Sequence, residues 1–177
     1  MNIEVIQDSI VAQIQASFTA GSLAFTAQRL PESDAEYKKA VQSPICFVAY
    51  TGSTSPGVKN TNPTSQDRKL QFSIQVIGLL LYNANGLHNA GDYVEKSIIG
   101  FRPTNCDRIY LVKDESTRGE DKLWTREFQV EAMTVLVQDS LSEPIVVPSL
   151  QRVDVKFQNA GNPLDADNGQ TDQNITN

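Results

Sequence analysis

The chain has 177 residues, 40% hydrophobic and 20% charged, enough to build one globular domain with a core of its own. Its 15 basic and 21 acidic side chains leave a formal charge of −6, which argues against a module that grips nucleic acid through phosphate contacts. Cys46 and Cys106 lack metal-ligand spacing and read as small buried thiols, and no apolar run approaches the roughly 20 residues of a membrane span. Glu4, Gln7, Asp8 and Gln13 break up the apolar residues at the start, so no secretory signal is expected, and the chain reads as a soluble protein made in a reducing compartment.

In chain order, Ile3, Ile6, Ile10, Ile14 and Phe18 recur at spacings of three and four and predict an amphipathic helix, with Asn2 as its N-cap and Gly21 as its end. A short extended piece is expected over Leu23 to Gln28, then a polar stretch through Pro31 to Tyr37 with room for one helical turn at most. Ile45 to Tyr50 is apolar on both faces, as in a central strand covered on two sides. From Gly52 to Asp67 the composition turns to Gly, Ser, Thr, Pro and Asn, which predicts a long loop used for contacts. Leu70, Phe72, Ile74 and Val76 alternate with Gln71, Ser73 and Gln75 in the clearest strand, whose pattern breaks at Gly78 in an expected bulge or bend.

A second helix runs through Tyr93, Val94, Ile98 and Ile99 and stops at Gly100. Ile109 to Lys113 and Leu123 to Val137 then read as two strands of a hairpin, joined by the charged connection Asp114 to Asp121. In the second, Trp124, Phe128, Val130, Ala132 and Leu136 share an apolar face that Arg126 and Thr134 interrupt. The fold class is α+β, an antiparallel or mixed β-sheet flanked by two main helices. Residues 1–137 form that domain; 138–177 form an extended C-terminal arm containing Pro144 and Pro148, an alternating piece Val153 to Phe157, and a polar acidic tail expected to be disordered alone.

No catalytic set assembles from these residues. His88 is the only histidine and reads as an exposed residue at a helix entrance, while phosphate-cradling glycine motifs are missing. Asp165 to Gly169 has the wrong register for a calcium loop. Glu127 and Glu131 share a strand face, where acid and base work would require neighbours that drive their pKa values apart. No enzyme activity, cofactor or metal is expected.

Pro44-Ile45-Cys46-Phe47-Val48-Ala49-Tyr50, the strand opening Gln66-Asp67-Arg68-Lys69-Leu70, the helix ending Gly100-Phe101-Arg102-Pro103 and the final long strands resemble the tail-terminator (tail-completion) proteins of Mu-like contractile phages. The resemblance covers Ile3 to Val137. It implies a structural virion protein of the tail or neck, assembled in the host cytoplasm. Such a protein forms a homo-oligomeric ring, usually a hexamer, on the head-proximal end of the tail tube. It ends polymerisation, meets tube, sheath and head-tail connector or neck proteins, and lets DNA pass without specific binding. Another neck or connector component is the alternative within the same class, and a small soluble enzyme the alternative outside it. The expected partner contacts are Ser55, Pro56, Lys59, Asn62, Arg68, Arg102, Val153, Val155 and Phe157, with Val153 to Phe157 adding a strand to a neighbouring subunit or sheath protein.

Overall fold

Asn2 accepts a hydrogen bond from the Glu4 amide at 2.9 Å and opens helix α1 (Ile3–Ala20), whose Ile6, Ile10, Ile14 and Phe18 are all buried. The structure is a computed structural model and describes residues 2–61, 64–119 and 123–137. Contacts divide the chain into Met1–Ser140 and Leu141–Asn177, and every described residue lies in the first unit. The expectations for the C-terminal arm, Val153, Val155 and Phe157 included, lie outside the described residues.

After α1 come β1 (Thr26–Arg29), α2 (Asp34–Ala40), β2 (Ile45–Thr54), β3 (Val58–Thr61), β4 (Thr64–Gly78), α3 (Leu87–Ile98), β5 (Tyr110–Arg118) and β6 (Trp124–Val137). The fold is α+β as expected. Its sheet has the order β1-β2-β4-β6-β5, with β3 also pairing β4, and it is mixed because β1 runs parallel to β2 while the other pairs are antiparallel. α1 and α3 lie antiparallel on one face: Gln13 donates to the Ser97 carbonyl at 3.3 Å and Ser17 to that of Tyr93 at 3.2 Å. Between them and the sheet lie Cys46, Val48, Leu70, Phe72, Ile74, Val76, Phe128, Val130 and Ala132.

Four expectations are corrected. The polar stretch before β2 holds two turns of helix rather than one, because Ser33 caps the Glu36 amide, acids open α2 and lysines close it. The short helix covers Ile45, Phe47 and Ile77 with Tyr37, Ala40 and Val41 on the sheet's other face. The Gly52 to Asp67 loop is mostly strand, since β2 continues to Thr54, β3 follows and β4 begins at Thr64. Its polar composition belongs to strands lying beyond the core, and the register shift after Tyr50 is taken up by Gly52 at φ 148°, a conformation open to glycine. β4 ends at Gly78 with no bulge there, so Leu79 and Leu80 emerge exposed instead of changing faces within a strand. Asp114 to Arg118 belong to β5, an edge strand whose charged side chains stay wet while its backbone pairs with Trp124 to Phe128.

The sheet outruns its helical cover. α1 is about 27 Å long at 1.5 Å per residue, whereas β4 is about 50 Å at 3.3 Å per residue. Buried apolar residues of β4 run only from Leu70 to Ile77, and its Thr64–Lys69 end continues beyond them between β3 and the last residues of β6.

Candidate assembly surfaces

The overrunning end gathers most of the contact residues expected from sequence that the structure describes. Arg68, in β4, donates to Ser53 Oγ at 2.7 Å and to the Tyr50 hydroxyl at 3.1 Å, so it ties β2 to β4 rather than reaching out. Ser55 and Pro56 are exposed in the β2–β3 connection and Lys59 lies in β3; Asn62 lies outside the described residues. Arg102 follows α3 and donates to the Cys106 carbonyl at 3.0 Å, which folds the segment into a wall beside β6. Asn105, Cys106 and Asp107 join Arg102 there, and Met133, Thr134 and Val135 form the opposite wall of a groove of about 490 Å³.

Two bonds fix that wall. The Asp107 amide donates to the Met133 carbonyl at 2.7 Å, and Thr134 Oγ1 donates to the Asn105 carbonyl at 2.8 Å. Thr134, which interrupts the apolar face in sequence, is thus a buried hydroxyl with its partner. Val135 and Val137 follow on the face away from the helices, 51% and 61% exposed. Sequence reasoning missed them, although the signal was present: the wet row of β6 reads Thr125, Glu127, Gln129, Glu131 and then turns apolar at Met133, Val135 and Val137.

At the other end of the same strands, Leu79, Leu80 and Tyr82 are 63%, 55% and 73% exposed, a second apolar set that the bend reading obscured. This connection is built, not loose: the Leu87 amide donates to the Leu80 carbonyl at 2.8 Å and Asn89 to that of Ala84 at 2.6 Å, while the Tyr82 ring sits 5.4 Å from that of His88.

Arg126, the other interruption, is a buried tie between α3, β5 and β6. It meets Asp114 through Nε at 3.0 Å and Nη2 at 2.7 Å, Asp92 at 3.0 Å, Glu95 at 3.5 Å and the His88 carbonyl at 3.3 Å, with the Phe128 ring 4.8 Å away. The Asp114 bonds hold the guanidinium above its ordinary pKa. Gly91 makes the approach possible: a Cβ there would stand 2.5 Å from Arg126 Nη1.

The paired carboxylates do not form an acid–base couple. Glu131 accepts from the Tyr110 hydroxyl at 2.6 Å and Gln71 at 2.9 Å and faces Lys69 at 3.1 Å, and these partners hold its pKa below the ordinary range. Glu127 accepts from Ser73 at 2.7 Å. His88 stands at the start of α3 and does not line the groove that contains Cys106. Both cysteines are free and buried, and burial raises their thiol pKa. No group of side chains suited to a metal ion occurs among the described residues.

Comparison with known proteins bears on this arrangement. The family model described as "Gp37 protein" matches residues 10–156. The chain belongs to the Gp37 family. The match continues past β6 to Lys156, beyond the Ile3 to Val137 span of the sequence resemblance. No curated protein matches. Among solved structures, a chain of "Virion of native gene transfer agent (GTA) particle" aligns with a TM-score of 0.50 and 12% identity, over 77% of this Gp37-family chain and 97% of its own. That likeness is one of fold.

Proposed function

We propose that this Gp37-family protein is a structural virion protein that caps the head-proximal end of a contractile phage tail tube, or of a related injection or gene-transfer particle. In this reading it assembles as a ring, ends tube growth and joins tail to neck. The observation that carries the proposal is the sheet that overruns its helices. A strand end that no layer covers among the described residues is marginal in isolation, and here it leads to exposed Val135 and Val137, with Leu79, Leu80 and Tyr82 exposed at the opposite end. A subunit that closes a ring and joins two structures needs separate surfaces of this kind.

The fold shared with a chain of a gene transfer agent virion supports the same class. It equally accommodates a neck or head-tail connector component, which is the second reading. Ser55, Pro56, Lys59, Asn62, Arg68 and Arg102 belong to the contact end in this proposal, residues 1–137 are the body, and 138–177 the arm that reaches a neighbour. The acidic balance suits a ring that DNA traverses without sticking.

Electron microscopy of the purified protein with tube protein tests the proposal. The expected outcome is sixfold rings that seat at one end of each tube and stop its elongation. A monodisperse monomer that leaves tube growth unchanged overturns it.

A further inference from the structure

We infer that the edge of β6 beyond β5 accepts an added strand, and that the strand is the Val153–Phe157 segment of a second copy of this chain; the inference rests on the oligomeric reading above. β5 pairs with β6 only from Trp124 to Glu131, while β6 continues to Val137. The register between β4 and β6 is uninterrupted from Ser65↔Val137 to Gly78↔Trp124, so side-to-side alternation along β6 is strict. The Met133 carbonyl points to the β5 side, where Asp107 binds it, and strict alternation directs the amides and carbonyls of Val135 and Val137 to that same edge. Among the described residues nothing pairs with them there.

The other edges are protected against strand addition and this one is not. β5 carries Lys113, Asp114, Glu115 and Arg118 and shifts register between Leu111 and Lys113; β1 and β3 are four residues each. The overhang of β6 is regular, uncharged after Glu131 and valine-rich. One of its faces carries Met133, Val135 and Val137, and the other carries Thr134, whose hydroxyl binds the Asn105 carbonyl.

Val153-Asp154-Val155-Lys156-Phe157 has the matching two-sided pattern. The Met133 carbonyl is already taken by Asp107, so pairing starts beside Val135: Val155 and one flanking apolar residue of the segment stand next to Val135 and Val137, and Asp154 and Lys156 fall on the Thr134 face. A hairpin return onto the same edge needs about 2 to 5 residues. Here the stretch 138–152, with Pro144 and Pro148, separates β6 from the segment, and fully extended it reaches on the order of 50 Å, about the length of β4. That reach is sufficient for a neighbouring copy's edge, and the crosslink below separates it from a return within one chain. The family match also extends through Lys156 and stops before the polar tail.

Full-length Val135→Cys and Val155→Cys variants, expressed separately, mixed under assembly conditions and oxidised, test the contact. Cys46 is buried, and all variants carry Cys106→Ser because Cys106 lines the same groove as Val135. The expected product is a disulfide-linked dimer joining positions 135 and 155, at least about tenfold more abundant than the one obtained with Val112→Cys, an exposed position on β5. An equal yield from Val112→Cys, no 135–155 dimer, or a 135–155 bond found only within single chains of the double variant each overturns the inference. Rings that still cap tubes without the crosslink reject this contact and leave the proposed function standing. Loss of rings in unmodified protein rejects that reading instead.

Discussion

At the scale of single residues, Arg126 and Gly91 form a coupled pair. Removing Arg126 leaves Asp92, Glu95 and Asp114 without their shared cation, and because these acids stay partly wet the Arg126→Ala change should cost about 2 to 4 kcal/mol, read by urea denaturation. Gly91→Ala in the native background drives a methyl group into a guanidinium held on three sides and should destabilise by about 1 to 3 kcal/mol. In the Arg126→Ala background the same change should stabilise by up to about 1 kcal/mol, since only helix propensity then remains. A cost that stays the same in both backgrounds would show that the guanidinium is not what excludes the side chain.

Glu131 contributes to the acid limb of stability. Its folded pKa lies below the ordinary 4.5, chiefly through the Tyr110 hydroxyl, so its contribution is complete above that value and is lost as pH falls through the folded pKa. Tyr110, raised above 10.0 mainly by its bond to Glu131, and Lys69, raised above 10.5 mainly by the same carboxylate, contribute below those values and lose the contribution as pH rises through their folded pKa. Melting temperature should therefore fall on both sides of a broad plateau between about pH 5 and 10. Glu131→Gln should flatten both shoulders.

At the scale of elements, α2 stands on its cap. Ser33→Ala should cost about 1 kcal/mol and lower amide protection in Asp34–Ala40 while leaving α1 protected, a contrast that hydrogen exchange reads directly. The same element shows where sequence patterning stops. α1, the buried half of β2, and β4 from Leu70 to Val76 were legible because repeated apolar spacing reports a face pressed on a core. Seven residues, about two turns, are too few to repeat an apolar spacing convincingly, and the trace α2 leaves is its cap and charge order. The half-buried Ser65–Lys69 end of β4 and the exposed, charged half of β5 lacked the usual strand alternation because the buried core of the described residues does not extend to them. Arg126 and Thr134 were legible as exceptions, but their partners come from three other segments, whose meeting no local pattern records.

At the scale of the whole molecule, the two exposed apolar sets should separate by mutation. Val137→Lys should leave folding stability within about 0.5 kcal/mol, as an exposed site does, and yield smaller species in light scattering. Under the proposed ring-capping function, paired Leu80→Ser and Tyr82→Ser changes should leave rings intact and weaken attachment at one end, visible as free rings beside bare tubes. The contact end was only partly readable in advance: polar composition singled out the β2–β3 region, whereas the valines that matter in the present reading sit at the close of a strand recognised for its buried face.

β6 is the last described strand in the chain, yet it lies between β4 and β5 in the sheet. During synthesis, therefore, the long flank of β4 remains an open ladder until the ribosome has delivered β6, the strand with which β5 also pairs. Chains truncated short of Trp124 should emerge adhesive and collect in aggregates, while completed chains close the gap in one late, slow step dominated by distant pairings.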